Sequence, residues 1–233
     1  MKSALSLFVF AAALLAGGHE APAALSPEQA LARLRAGNTR FVQHKETHPN
    51  ISFDRRRALA RTGQHPHAII LGCADSRVPP ELIFDEGLGD LFVIRNAGNV
   101  INDEVLGSIE YAVEHLGTRL VVVLGHENCG AVSAAVAAGN AEAPGHIKTV
   151  IESIRPAVEE TASQPGDKVH NCVLANARRV ARQIRESEPI LKHAVDHSHL
   201  MVVAADYDLE TSMVEFLDLP KPAHKAVSKA AHK

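Results

Sequence analysis

Short apolar runs alternate with helical stretches along the chain, and this alternation is the strongest constraint on its fold. Four runs have the length and composition of buried parallel strands: 67–73, 90–96, 119–126 and 200–209. Helical patterns occupy three other stretches: 105–117, 130–138 and most of 143–188. A short fifth strand is predicted at 213–217, after a tight turn. The pattern predicts an α/β fold whose mostly parallel central sheet, with a short edge strand, is flanked by helices.

The segment that follows residue 24 opens with the signals of a helix start. Ser26 is a favourable N-cap, Pro27 suits the first helical position, and Glu28 places an acid in the first turn. Asn38, next to Gly37, predicts an interruption of this helix.

Residues 1–23 have the features of a secretory signal peptide. Lys2 supplies a positive start, residues 4–16 are uninterruptedly apolar, and 21–23 offer a cleavage pattern of small residues. The apolar run is short for a membrane-spanning helix. We therefore expect an exported, periplasmic protein with no stable membrane insertion once it is processed. An uncleaved anchor and a buried helix are the alternatives.

Length and composition predict one sizeable core. The 233 residues are 46% hydrophobic, which favours a single domain at 24–218, followed by a disordered basic tail at 219–233. The net charge is only -3, there is no Trp, and aromatic residues make up 4% of the chain. Neither a basic surface nor a base-stacking surface is indicated, so we expect no nucleic-acid partner.

Two short segments contain the residues suited to chemistry. Cys73 ends the first predicted strand, His126 ends the third, and Cys129 lies at the turn into a helix. If the strand order is about 2-1-3-4, these ends are neighbours at the edge of the sheet where ligands bind. Two thiolates and one imidazole suit Zn2+ and leave a fourth position for water, as in catalytic zinc sites.

Export gives the cysteines a competing interpretation. In an oxidising compartment, Cys73 and Cys129 could form a disulfide, with Cys172 left over as a buried helix residue. Spacing alone does not decide between metal and disulfide. A second histidine group, His193, His197 and His199, fits a solvated segment better than a metal site.

The segments 73–100 and 125–132 closely resemble the β-class carbonic anhydrases, and the similarity runs from about Leu25 to Leu217. The resemblance implies a carbonate dehydratase that holds one Zn2+ per chain. Its reaction would be the reversible hydration of CO2 to bicarbonate and a proton by attack of a zinc-bound hydroxide. It also implies a homodimer or homotetramer in which the N-terminal helix forms an arm around the partner.

The resemblance assigns roles by position. Cys73, His126 and Cys129 match the zinc ligands, and Asp75 and Arg77 match the catalytic pair. In some members of the family this Asp instead binds the zinc as a fourth ligand. Five further positions match the family's substrate pocket, the Phe and the Tyr often coming from the partner subunit: Gln64, Phe92, Ala97, Tyr111 and Gly130. For Phe92 and Tyr111, ordinary core packing is an equal alternative.

The sequence departs from the family's pattern at some positions, and it leaves alternative functions open. The lack of Trp, together with Gln64, favours the plant-like, non-allosteric subclass, and Ser212 stands where the family usually has Gly. His65 and His67 have a suitable pKa for carrying the proton away, although a plain surface or packed histidine is the commoner case. A COS or CS2 hydrolase on the same scaffold and a non-catalytic zinc protein are the alternative functions.

Overall fold

The computed structural model describes residues 25–139 and 141–217, so the predicted signal peptide and basic tail lie outside the described residues. The strands are β1 (Ala68–Cys73), β2 (Leu91–Asn96), β3 (Leu120–His126), β4 (Met201–Tyr207) and β5 (Val214–Leu217). The helices are α1 (Pro27–Val42), α2 (Phe53–Thr62), α3 (Pro80–Ile83), α4 (Asp103–Leu116), α5 (Gly130–Ala138), α6 (Ile147–Thr161), α7 (Lys168–Glu186) and α8 (Ile190–Asp196). Within the described part of the chain, no helix is both long enough and apolar enough to span a bilayer.

One sheet organises the molecule, in the strand order β2-β1-β3-β4-β5. The first four strands are parallel, and β5 pairs antiparallel with β4. The register sets Cys73 opposite Asn96 and His126 opposite Tyr207, so the carboxyl ends of these strands lie at one edge. The predicted fold class and strand order are confirmed.

The core fills both faces of the sheet because side chains alternate along each strand. Ile69 and Val121 pack on the face that α4, α7 and α8 cover. Ile70 and Val122 pack on the other face, against α1 and the segment around Phe84. The central strands β1 and β3 are buried along their whole length, which explains why their sequences are continuous apolar runs.

The predicted interruption of α1 at Asn38 is wrong. Ser26 caps the helix as expected, but the helix continues through Gly37 and Asn38 to Val42. A Cβ at Gly37 would lie 1.8 Å from the Phe84 carbonyl oxygen, so only glycine permits this close approach. The Asn38 amide donates to the carbonyls of Ile83 and Ser212, and these tertiary contacts offset the poor helix propensity.

Three helices were not predicted: α2, the four-residue α3 and α8. Helix α2 buries none of its residues, so its sequence lacks an apolar stripe. The segment expected to be solvated before β4 contains α8, which buries Leu191 and Ala194. Cys172 is fully buried in α7, as predicted.

Candidate metal centre

Adjacent strand ends bring two cysteines and a histidine together. Cys73 ends β1, His126 ends β3, and Cys129 is the residue before α5. Their ligand atoms all lie within 4.8 Å of one another, and the two sulfur atoms are 3.9 Å apart. Two sulfurs that bind one tetrahedral zinc at about 2.3 Å are about 3.8 Å apart. The site therefore already has the spacing that this metal requires.

The imidazole of His126 is prepared as a metal ligand. Its Nδ1 lies 2.8 Å from the carbonyl oxygen of Glu127 and, as the donor, leaves Nε2 with its lone pair. The ring is fully buried, and Nε2 has no hydrogen-bond partner. A buried nitrogen without a partner is costly, and a bound cation removes that cost. A ring nitrogen that donates to a carbonyl is the usual outer support of a metal-binding histidine.

The two thiols also fit a cation better than a disulfide. Cys73 and Cys129 are free in this structure, and their 3.9 Å separation is far beyond the disulfide bond length of about 2.05 Å. The hydrogen bond from Cys129 lowers the pKa of Cys73, while the same contact raises the pKa of Cys129. Without a cation, one thiol keeps its proton; a divalent metal allows both to ionise.

Asp75 and Arg77 form a bidentate ion pair beside these ligands. Arg77 donates from Nε to Oδ1 of Asp75 at 2.9 Å and from Nη2 to Oδ2 at 2.7 Å. These hydrogen bonds from Arg77 hold the pKa of Asp75 well below its usual range. The Oδ2 atom lies 3.9 Å from Nε2 of His126. The carboxylate is thus ionised, fixed in direction and next to the metal position.

Arg95 is a site residue that the sequence reasoning missed. From β2 it donates to the carbonyl oxygens of Cys73 at 2.8 Å and Asp75 at 2.5 Å. It therefore fixes the backbone of the loop that carries the ion pair. The available signal was a single cation, next to the last residue of a mostly apolar strand.

The predicted pocket residues fall into two groups within one chain. Ala97 and Gly130 lie at the metal end of the sheet, and a Cβ at Gly130 would meet no atom within 4 Å. Phe92 pairs with Ile69, four residues before Cys73, which is about 13 Å along the strand. Its ring packs 6.4 Å from that of Tyr111. Gln64 precedes β1 and so lies at the same remote end.

A second group with metal-binding side chains comprises His67, Glu86 and Asp90. Arg33 already supplies a cation there, because it donates to Glu86 and forms an ion pair with Asp90 at 3.1 Å. We therefore interpret this group as an ion-pair network. His67 immediately precedes β1, the strand that Cys73 ends, so it lies far from the metal centre of its own chain. Among the described residues, the ligand atoms of His193, His197 and His199 do not come together as those of the metal centre do.

Comparisons with known proteins agree with this geometry. Residues 68–214 match the family model described as carbonic anhydrase. The chain is 54% identical over 135 residues to carbonic anhydrase 2 of Mycobacterium tuberculosis, a match covering 57% of this chain and 65% of that protein. It is 36% identical over 192 residues to the carbonic anhydrase of Mycolicibacterium smegmatis, covering 82% of this chain and 93% of that one.

Solved structures show the same fold. A β-carbonic anhydrase of Aspergillus fumigatus superposes with a TM-score of 0.63 at 30% identity, covering 84% of this chain and 92% of that one. One from Sordaria macrospora, described as tetrameric, superposes with a TM-score of 0.64 at 25% identity, covering 78% of this chain and 93% of that one.

Proposed function

Because the chain belongs to the β-class carbonic anhydrases, we propose that it catalyses the reversible hydration of CO2 to bicarbonate and a proton. The observation that carries the proposal is the buried, unpartnered Nε2 of His126 beside two free thiols and the Asp75–Arg77 pair. A purely structural metal site would need neither Asp75 nor Arg77. Their presence favours a catalytic centre over a non-catalytic zinc protein.

Cys73, His126 and Cys129 would hold one Zn2+ per chain. A zinc ion with three protein ligands supplies a hydroxide nucleophile near neutral pH by lowering the pKa of water from about 15.7 to near 7. The chain supplies the two thiolates that balance the metal's charge, and Glu127 supplies the carbonyl that fixes the His126 ring.

Asp75 would orient the attacking water. Its Oδ2 atom faces the metal position and can accept a hydrogen bond from the nucleophile, which directs the remaining lone pair at CO2. Arg77 keeps the carboxylate ionised and in place, and Arg95 fixes the backbone beneath it. This arrangement would suit the working state; a swing of Asp75 onto the metal would break both contacts with Arg77.

The substrate pocket would be completed by a second subunit. Ala97 and Gly130 would line it from the chain that holds the metal, whereas Gln64, Phe92 and Tyr111 lie too far from that chain's own centre. We therefore propose that these three act in the partner's site, in a homodimer or homotetramer. The exposure of Tyr111, at 49%, leaves its ring available for such a contact.

The remaining features complete the proposal. Residues 24–218 would form the catalytic domain of an exported, periplasmic enzyme whose first 23 residues are removed. Gln64 and the lack of Trp favour the plant-like, non-allosteric subclass.

Assays of the purified zinc-loaded protein on CO2, COS and CS2 test the choice of reaction. We expect rapid CO2 hydration in a stopped-flow instrument and slower turnover of the two sulfur compounds. Faster turnover of COS or CS2 would favour the alternative hydrolase, and no turnover of any of them would favour a non-catalytic protein.

A further inference from the structure

The loop that carries Gln64 is attached to the fold at Pro66, two residues after Gln64. This loop, residues 63–67, joins α2 to β1, and we call it the Gln64 loop. Gln64 is exposed, and its side chain makes no hydrogen bond within the described part of the chain. The orientation of the Gln64 side chain must therefore depend on the position of the backbone that carries it.

On the β1 side of Gln64, Thr118 makes the closest attachment; on the other side, the Gly63 amide donates to the Leu59 carbonyl of α2. The Thr118 hydroxyl donates to the carbonyl oxygen of Pro66 at 3.0 Å, and Thr118 is only 2% exposed. The Thr118 amide in turn donates to Ala112 of α4, where Gly117 ends the helix in the left-handed conformation. The hydroxyl is thus held by α4, the helix that also carries Tyr111.

His67 provides a second attachment. Its amide donates to the Asp90 carbonyl at 2.9 Å, and its ring, 6% exposed, faces Glu86 across 3.6 Å. Arg33 holds Glu86 in place. Burial, and then the charge of Arg33, lower the pKa of His67 to about 4, so the ring stays neutral at ordinary pH. This attachment therefore does not change with protonation in the working range.

We propose that Thr118 is a positioning residue for catalysis, acting through the Pro66 carbonyl to aim the Gln64 amide at substrate. The inference rests on the proposed function, because it takes Gln64 to be a substrate contact in the partner's pocket. Few rotatable bonds separate the Pro66 carbonyl from Gln64, and the proline ring removes one of them. A shift of that carbonyl is therefore passed on to the amide, and small misplacements of substrate-orienting groups are costly in rate.

The test is a double-mutant cycle between Thr118 and Gln64 in the zinc-loaded oligomer. Thr118→Val keeps the side-chain shape and removes the hydroxyl, and Thr118→Ser keeps the hydroxyl. Thr161→Val is the matched control, because Thr161 is also buried and also donates to a backbone carbonyl, but in α6. Zinc content, oligomer size and melting temperature are measured for each variant. Thr118→Ala removes the hydroxyl in another way if the valine variant does not fold.

We expect Thr118→Val to lower kcat/KM about 3- to 10-fold, the size of one lost hydrogen bond. Thr118→Ser and Thr161→Val should stay near wild type. In the Gln64→Ala background, Thr118→Val should have no further effect, because there is no longer an amide to aim.

Three outcomes overturn the proposal. An equal loss from Thr118→Val in both backgrounds would show a general structural role. A normal rate for Thr118→Val beside an impaired Gln64→Ala would show that the loop needs no such attachment. A normal rate for Gln64→Ala itself would remove the role of Gln64, and with it the positioning role, while CO2 hydration by the wild type would still stand.

Discussion

The guanidinium of Arg77 holds both carboxylate oxygens of Asp75, at 2.9 Å from Nε and 2.7 Å from Nη2. A lysine at this position offers a single point charge and cannot make two parallel contacts. We expect Arg77→Lys to lower kcat/KM for CO2 hydration about 10- to 100-fold, because Asp75 is no longer held in one direction. Stopped-flow rates on zinc-matched samples measure the effect.

A control for this prediction is Arg182→Lys, at an exposed position of α7. It should behave as the wild type. An Arg77→Lys variant with full activity and normal zinc content would show that catalysis does not require the bidentate pair.

Metal content distinguishes the ligand cysteines from the third cysteine. We expect about one zinc per chain in the wild type and a large loss in Cys73→Ser and Cys129→Ser, since each removes a thiolate ligand. Cys172→Ala should keep its zinc, because this buried thiol lies in α7 and its pKa is raised to about 11 by burial. The measurement is elemental analysis of dialysed protein. A metal-free wild type containing a Cys73–Cys129 disulfide would contradict the account.

Asp85 should make folding stability depend on acid pH. Its carboxylate accepts hydrogen bonds from Arg40 at 2.5 Å and from the amides of Thr47 and His48. Burial raises the pKa of Asp85, but these bonds outweigh it and hold the value at about 2. We expect Asp85→Asn to reduce the free energy of unfolding by about 1.5–3 kcal/mol near neutral pH.

The direction of this pH dependence follows from the difference in the pKa of Asp85 between the folded and unfolded states. A carboxyl with a lowered pKa in the folded state stabilises the protein above its unfolded pKa of about 3.9. That contribution is lost as the pH falls towards about 2, the pKa of the folded state. Denaturant unfolding should therefore show the gap between wild type and Asp85→Asn shrinking from pH 5 downwards. The exposed residue Asp54 provides the control variant Asp54→Asn, which should cost less than about 1 kcal/mol. A gap that stays constant with pH would refute this explanation.

Export can be tested without the enzyme. A fusion of residues 1–25 to a reporter that works only outside the cytoplasm should be active in a bacterial host, because these residues have a positive start, an apolar run and a cleavage pattern. A matched fusion with Leu14→Arg, which places a charge in the apolar run, should stay inside. Retention of both fusions in the cytoplasm would refute the signal peptide.

Most of the fold was predictable because it depends on local patterns that tertiary contacts reinforce. The strands β1 and β3 are buried on both faces, so their apolar runs are unambiguous. The interruption expected at Asn38 was wrong because a distant backbone, near Phe84 and Ser212, satisfies the asparagine. Helix α2 left no pattern because it buries nothing within the chain.

The candidate site was predictable in part for similar reasons. Cys73 and His126 end neighbouring parallel strands, so strand order alone brings them together. The resemblance gave the Phe and Tyr positions to the partner's pocket in many members but did not assign Gln64 to either chain, and the structure puts Gln64 at the opposite end of the sheet from Cys73. Arg95 was missed because its role depends on the register between β1 and β2, which no single segment reveals.

We expect a metal held by Cys73, His126 and Cys129 to support catalysis only with Asp75 beside it, and the variant Asp75→Asn separates metal binding from catalysis. Zinc content and the stopped-flow rate of CO2 hydration are measured on the same sample, with wild type alongside. We predict that the variant keeps about one zinc per chain while kcat/KM falls about 100-fold or more. A variant that retains both its zinc and the wild-type rate would contradict the account.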